Sequence, residues 1–487
     1  MDAPTSSAQA DLPKVLIIRF SSFGDIVQCL PAAEALRTQL QAQVHWAVRA
    51  DMQDIVRLDP HIRPWPLPRL KGWPSVKVLW ALAKNLYNER FTHIYDAHAN
   101  LRSFLLLLFF RILALGDKKL SWFKRIKGNW NFVRRPKNRF KRMLLFNLQV
   151  NLFPRPYRGA ISYLKPLAKW QIAANYTPAA EINLPPLPDL VQQELLRLEG
   201  LSKLTQTEEK KVQEATAGNV VLPPPEVLAA AELAAEDKEK EKEQAIDHEL
   251  ENEEGNETRS ESTNSNEEAR ISAPSSSPAA HPSPVPENVA ATTRDDKSEK
   301  PLPYFVALAP SAAWPLKRWP LAYWKELINL NPHVFFIVLG GPRDHFCQEL
   351  VTAAPDHVSN TAGHLSLLES CAVVDHAHAV ISADTGILHV ADYLRKPGIA
   401  LLGPTAFGHP SGNTLRVLET NLPCRPCTKD GSGSCYRSIQ QECLMSISPL
   451  KVSKVLQEII CATFNTTPED LAEKQGKALA DNTSANN

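Results

Sequence analysis

With 487 residues, 44% of them apolar, the chain is long enough to bury two ordinary cores, and its composition is that of a soluble, globular protein. The formal net charge of +1 averages a strongly basic segment with a strongly acidic one. The longest apolar run, Phe104 to Leu115, is 12 residues broken by Arg111, well short of the roughly 18 to 20 needed to cross a bilayer. No basic region followed by an apolar run opens the chain, so a cytoplasmic location is expected.

Residues 1–13 read as an unstructured tail. VLIIRF, from Val15, has the continuous apolar, β-branched character of a strand covered on both faces, as in a parallel sheet. The loop Ser21-Ser22-Phe23-Gly24-Asp25 follows, and from Ile26 apolar residues recur at helical spacing. Asp25 is thus at or near a helix N-terminus, where it either caps the helix or faces a ligand beyond the strand end. Further strands are expected at VHWAVR and THIYDAH, with a helix over Val76 to Tyr87 between them. Between Lys118 and Arg142 there are eleven Lys or Arg and no Asp or Glu, interleaved with Trp122, Phe123, Trp130, Phe132 and Phe140. That mixture suits an anionic membrane surface or an acidic glycolipid; nucleic acid would also be attracted, and an ordinary solvated loop is the plainer alternative.

Residues 205–302 are dominated by Glu, Lys, Ser, Asn, Pro and Ala and cannot bury enough surface to offset ordering entropy, so disorder is expected, with a transient helix around Glu226 to Glu251. Strand patterns resume at FVALAP, VFFIVLGG, AVISAD and GIALLG, alternating with helical runs at Ala322 to Ile328, Leu365 to Ala377 and Ile387 to Leu394. The expected organisation is therefore α/β, with two Rossmann-like, doubly wound domains at 14–204 and 303–465 facing a cleft, and an unstructured tail from 466.

Three loops of the second domain would open on that cleft. APSAAWPLKRWP sets Lys317 and Arg318 beside two indoles; Lys317 suits a phosphate, and Trp319 a pocket wall. Asp384-Thr385-Gly386 leads into a helix carrying His389 one turn on, an arrangement that serves an anion or merely caps a helix. Gly403-Pro404-Thr405 offers close backbone approach and a hydroxyl. Four of the eight cysteines, Cys424, Cys427, Cys435 and Cys443, are spaced C-x2-C-x7-C-x7-C and could supply four thiolates to a structural zinc.

KVLIIRFSSFGDIVQCLPAAEALR, YDAHANLRS, APSAAWPLKRWP, DTGILHVAD, LLGPT and the terminal C-x-x-C with ECLMSISPLKV, in this order, resemble glycosyltransferase family 9, the heptosyltransferases of lipopolysaccharide core assembly. The resemblance implies a GT-B fold with the acceptor site in the first domain and the nucleotide-sugar site in the second. It implies Asp25 as general base toward the acceptor hydroxyl, with Ser22, Gly24 and Arg102 on the acceptor side. It places Lys317 on the donor diphosphate, and Trp319, Asp384, Thr385, Gly386, His389, Gly403 and Thr405 around the donor. No metal is then required, and a cysteine cluster recurs in this family's tail without implying one. The expected donor is an ADP-heptose-like nucleotide sugar, and the expected acceptor a lipid-linked anionic glycan. The expected membrane contact is the cytoplasmic face of the inner membrane, through Lys118 to Arg142, with no nucleic acid partner. A nicotinamide dehydrogenase is disfavoured because no G-x-G-x-x-G follows the first strand. The alternative kept is a catalytically silent adaptor that recruits partners through the basic segment and the insert.

Overall fold

The computed structural model describes residues 12–69, 73–122, 124, 130–217 and 303–465. Residues 218–302 and both tails, where disorder and the transient helix were expected, lie outside them. Contacts divide the chain into one unit of 1–204 with 302–487 and a second of 205–301. The first unit holds two parallel sheets.

In the first lobe the strands are β1 (Lys14–Ile18), β2 (Gln43–Arg49), β3 (Ile62–Leu67), β4 (His93–Asp96) and β5 (Asn131–Arg134), ordered β3-β2-β1-β4-β5. Every neighbouring pair is parallel. The helices are α1 (Phe23–Gln39), α2 (Trp73–Asn88), α3 (Leu101–Gly116), α4 (Arg139–Leu148), α5 (Gly159–Leu164) and α6 (Asp189–Ala217). Helix α6 runs beyond residue 204, so regular structure extends past the expected start of the insert.

In the second lobe β6 (Phe305–Ala309), β7 (Phe335–Val338), β8 (Val358–Asn360), β9 (Ala379–Ala383), β10 (Gly398–Leu402) and β11 (Leu415–Glu419) are ordered β11-β10-β9-β6-β7-β8, again all parallel. Helices α7 (Leu321–Asn329), α8 (Leu367–His376), α9 (Gly386–Tyr393) and α10 (Pro449–Phe464) complete the frame. This is the two-lobed GT-B architecture.

The central strands β1, β6, β9 and β10 are buried almost without a break, which is why they read as continuous apolar runs. Strand β3, IRPWPL, went unrecognised because of its two prolines; Pro64 and Pro66 are tolerated because β3 is the sheet edge. Strand β5 lies at the other edge, inside the basic segment. One core cluster runs from Val15 and Trp46 of the first lobe to Leu388 and Val390 of the second, so the lobes share packing. At the seam a Cβ on Gly386 would sit 2.1 Å from the Phe23 ring, and one on Gly24 would sit 3.0 Å from His389 Cδ2. Backbone approach this close is open only to glycine.

In each sheet the chain reverses its direction of progress beside the first strand: between β1 and β4, and between β6 and β9. Ligands of open α/β sheets bind at such switch points, beyond the carboxyl ends of the strands. At or just beyond these four strand ends lie Asp25, His98, Lys317 and Asp384.

Trp319 belongs elsewhere. Instead of walling a pocket it is 2% exposed, packs edge-on against Trp324 with ring centroids 5.1 Å apart, and donates from Nε1 to the Ile447 carbonyl at 3.0 Å. Its size and lone N–H suit a core position with one carbonyl in reach. Trp319→Phe should lose about 1–3 kcal/mol in urea unfolding, because the Ile447 carbonyl stays buried and unpaired. Nucleotide affinity of the folded variant should not change.

Candidate active site

Asp25 is the third residue of α1, and it does not cap the helix. The N-cap is Ser22, with no side-chain cap bond. Ser22 Oγ instead donates to Asp25 Oδ2 at 2.9 Å, and Tyr163 donates from its hydroxyl to Oδ1, also at 2.9 Å. The Arg19 guanidinium, at the end of β1, is ion-paired with Oδ2 and donates to the Ala97 carbonyl at 3.2 Å. Arg135 lies over the Tyr163 ring, 3.8 Å from its centroid, and donates to Ser162 Oγ at 2.6 Å. Burial disfavours the charged carboxylate, yet Arg19, Arg135 and the two hydroxyls outweigh it and hold Asp25 at about 2. The side chain is still 38% exposed, on the open side of the clamp.

Beside it, His98 accepts from the Phe20 backbone N–H at Nδ1, 3.1 Å away. Burial, with Arg19, Lys137 and Arg102, pushes this imidazole down to about 3, so it is neutral near pH 7 and its Nε2 carries the proton.

The second lobe builds a similar clamp. Lys317 Nζ is 3.1 Å from Asp384 Oδ2, Thr405 Oγ1 donates to the same oxygen at 2.6 Å, and His389 Nε2 is 3.7 Å from Oδ1. Burial opposes ionisation of Asp384, but Lys317, His389 and Thr405 prevail and lower its pKa. Burial lowers that of His389 against the pull of Asp384 and Asp392. Thr385 is the N-cap of α9, with its hydroxyl 3.0 Å from Ser382 Oγ.

These groups line one cavity of about 770 Å³: Ser22, Gly24 and Asp25 from the first lobe with Lys317, Asp384, Thr385, Gly386 and His389 from the second. Thr405 is outside the lining and acts through Asp384. Gly403 is also outside, packed against Leu444, its carbonyl accepting from Arg425 at 2.6 Å. Arg102, exposed on the first turn of α3, does not line the cavity either. The basic segment divides: Arg135, Lys137, Arg139 and Arg142 line the cleft, so its second half serves the site, whereas residues 125–129 fall outside the description.

Arg19, His98 and Tyr163 went unnoticed in the sequence. His98 sits within the YDAHANLRS motif, and Arg19 ends the first strand; Tyr163 carries no local signal, being 138 residues from the carboxylate it holds.

Cys424, Cys427, Cys435 and Cys443 do converge on one small cavity. Yet among the described residues no group of three or more His, Cys, Asp or Glu is placed to hold a metal ion. Burial pushes the Cys443 thiol up to about 11 and raises that of Cys427, which favours protonated thiols.

Residues 235–434 match the model of glycosyltransferase family 9 (heptosyltransferase). Over those residues the chain is similar to glycosyltransferase family 9. Lipopolysaccharide heptosyltransferase 2 of Salmonella typhimurium is 27% identical over 173 residues, covering 34% of this chain and 48% of that protein. Lipopolysaccharide heptosyltransferase 1 of Pseudomonas aeruginosa is 27% identical over 178 residues, 33% of this chain and 49% of the other. The chain thus spans about half the length of the curated relatives it matches. Two solved structures share its fold. The family 9 glycosyl transferase of Veillonella parvula has a TM-score of 0.54 at 14% identity, covering 93% of this chain and 98% of its own. The ADP-heptose lps heptosyltransferase II of E. coli has a TM-score of 0.50 at 15% identity, covering 92% and 99%.

The clamp makes a pH prediction. Arg19 depresses the Asp25 pKa, so Asp25 stays ionised from neutral pH down to about 2. In Arg19→Met the carboxylate pKa should rise by about 1–3 units. The acid limb of the pH–kcat/KM profile should move to higher pH by that amount, with turnover on the alkaline side less affected.

Proposed function

We propose that this protein is an inverting glycosyltransferase that moves a heptose from a nucleoside-diphosphate sugar, ADP-heptose or a close analogue, to a hydroxyl of a lipopolysaccharide core acceptor. The observation that carries the reading is the shared cavity, with the Asp25 carboxylate on one wall and the Lys317 ammonium on the other.

Inverting displacement needs a base on one face of the anomeric carbon and fixed positive charge where the diphosphate departs. Asp25 accepts the hydroxyl proton as the new C–O bond forms and the bond from the anomeric carbon to the diphosphate oxygen breaks. At about 2 its pKa makes it a weak base toward a free hydroxyl, so the proton moves late, once the attacking oxygen has become acidic through bonding to carbon. Lys317 meets the negative charge of the leaving nucleoside diphosphate. Thr385 and Gly386, opening α9, offer backbone N–H groups at the same place. This route takes its charge stabilisation from side chains and calls on no metal.

The acceptor side is supported by the cations along the first-lobe wall, Arg135, Lys137, Arg139 and Arg142, which suit an anionic glycan. A lipid-linked acceptor would bring the enzyme to the membrane surface, and helix α3 offers a face for it. Leu101, Phe104, Leu108, Ile112 and Leu115 recur at three- and four-residue spacing and are between 41% and 72% exposed. Lys118 and Lys119 follow just beyond the helix end, after Asp117. An exposed apolar stripe beside cations suits the interface of an anionic leaflet, and among the described residues no helix is long and apolar enough to cross a membrane.

Three experiments test these readings. Asp25→Asn should cut transfer by 10²-fold or more, the scale of a lost general base, with nucleotide affinity by calorimetry little changed. Lys317→Ala should weaken that affinity; normal turnover in the first variant and normal affinity in the second would refute the assignment. In flotation assays the full chain should rise with anionic vesicles, and Leu108→Glu with Ile112→Glu should leave it at the bottom of the gradient.

A further inference from the structure

Among the described residues two cations of the second lobe line the cleft, Lys317 and Lys429. Lys317 is shared with Asp384, 3.1 Å from its Oδ2. Lys429 is exposed, and Asp430 Oδ2, the carboxylate oxygen beside it, is 3.9 Å from Nζ, beyond hydrogen-bond reach. The other oxygen of Asp430 is taken by Ser432, whose backbone N–H and hydroxyl donate to it at 3.2 and 2.7 Å. Lys429 is therefore a cation on the cleft wall that no carboxylate holds in place.

The loop that carries it is built against Lys317. A Cβ on Gly431 would lie 2.5 Å from Lys317 Cγ, so the loop backbone rests on the lysine stem. Within the loop the Thr428 hydroxyl donates to the Ser432 carbonyl at 3.1 Å and accepts from the Gly431 N–H at 3.2 Å. At its base the N–H groups of Cys427 and Thr428 donate to the Pro404 carbonyl at 3.1 and 3.3 Å. The next residue, Thr405, donates to Asp384, the carboxylate that holds Lys317. One turn thus fixes the two lysines relative to each other. The cysteines pack beneath it: Cys424, Cys427, Cys435 and Cys443 share a small cavity with Leu316 and Pro404, the chain neighbours of Lys317 and Thr405. The thiols form a small core under the two lysines, which gives the cysteine motif a structural task.

Breaking the bond to the anomeric carbon leaves the nucleoside diphosphate with one more negative charge than it carried as an ester, on the oxygen that departs. An ammonium already shared with a carboxylate offsets part of that charge, and a second, uncommitted one beside it offsets more. Lysine suits the task, because a point charge on a flexible stem can follow the oxygen as it moves away. We propose, resting on the sugar-transfer reading, that Lys429 is a second diphosphate-binding residue that meets the outer phosphate of the nucleoside diphosphate directly, beside Lys317.

ADP and AMP are titrated by calorimetry, at low ionic strength, into the full chain, into Lys429→Met and Lys429→Arg, and into Lys317→Ala with and without Lys429→Met. Lys429 is exposed, so substitution there should not lower the melting temperature. Lys429→Met should weaken ADP about three- to tenfold and leave AMP, which lacks the outer phosphate, within about twofold. Lys429→Arg keeps the charge and should bind ADP nearly as the wild type does. In the Lys317→Ala background Lys429→Met should weaken ADP again, since each lysine makes its own contact. Equal ADP affinity in the wild type and Lys429→Met overturns the proposal, and so does equal weakening of ADP and AMP. No further loss in the Lys317→Ala background also overturns it, because Lys429 would then act only through the placement of Lys317. Failure of ADP to bind the wild type ends the sugar-transfer reading and this assignment together, an outcome distinct from ADP bound equally by wild type and variant.

Discussion

The ion pair between Arg19 and Asp25 is the constraint on which the rest of the site depends. Strand β1 delivers Arg19 to its carboxyl end, the loop turns, and α1 delivers Asp25 to the same point. A carboxylate placed there without a cation would be driven toward its neutral form by burial. With Arg19, Tyr163 and Ser22 around it, it stays charged and points in one direction. The arrangement asks much of its supports. Arg19 is 8% exposed, and its Nε has no hydrogen-bond partner, so desolvation of the guanidinium is only partly offset by the Ala97 carbonyl and the carboxylate. Buried groups under that kind of tension are more common where function demands them than where stability alone is served.

Each lobe repeats one plan: a carboxylate beyond a central strand, a cation against it and a hydroxyl on it. The first lobe uses Asp25, Arg19 and Tyr163, the second Asp384, Lys317 and Thr405. The cations differ in kind. Arg19 is a planar fork fixed at two points, suited to hold geometry, whereas Lys317 is a point charge on a flexible stem, suited to change partners.

Much of the frame was legible because parallel strands buried on both faces become unbroken apolar runs, and VLIIRF, FVALAP, AVISAD and GIALLG are such runs. Edge strands lose that signal. β3 contains two prolines and β5 is basic, since each has a neighbour on one side only. Within the site, Asp25, Lys317, Asp384 and His389 stood out because each lies just beyond a strand within a compact motif. The residues that set the charge state of Asp25 did not: Tyr163 comes from a remote part of the chain, and Arg19 is hidden within the apolar run VLIIRF. Trp319 shows the opposite failure: an indole beside two cations reads equally well as a pocket wall or a core anchor, and only packing against Trp324 and the Ile447 carbonyl decides.

The charge balance of the cleft says what it is built to receive. Seven cations line it, Arg19, Arg135, Lys137, Arg139, Arg142, Lys317 and Lys429, against the three carboxylates Asp25, Asp384 and Asp430. Arg19 and Lys317 are held by two of those carboxylates, so under the proposed reading a diphosphate would compete with Asp384 for Lys317. Asp384 can release that lysine without being stranded, since Thr405 still donates to it and His389 still lies beside it. Such an exchange keeps the carboxylate satisfied while a mobile charge passes to the ligand, and departure of the product returns it. Under the proposed reading binding is thereby weakened by the strength of one ion pair, which would help a highly charged product to leave.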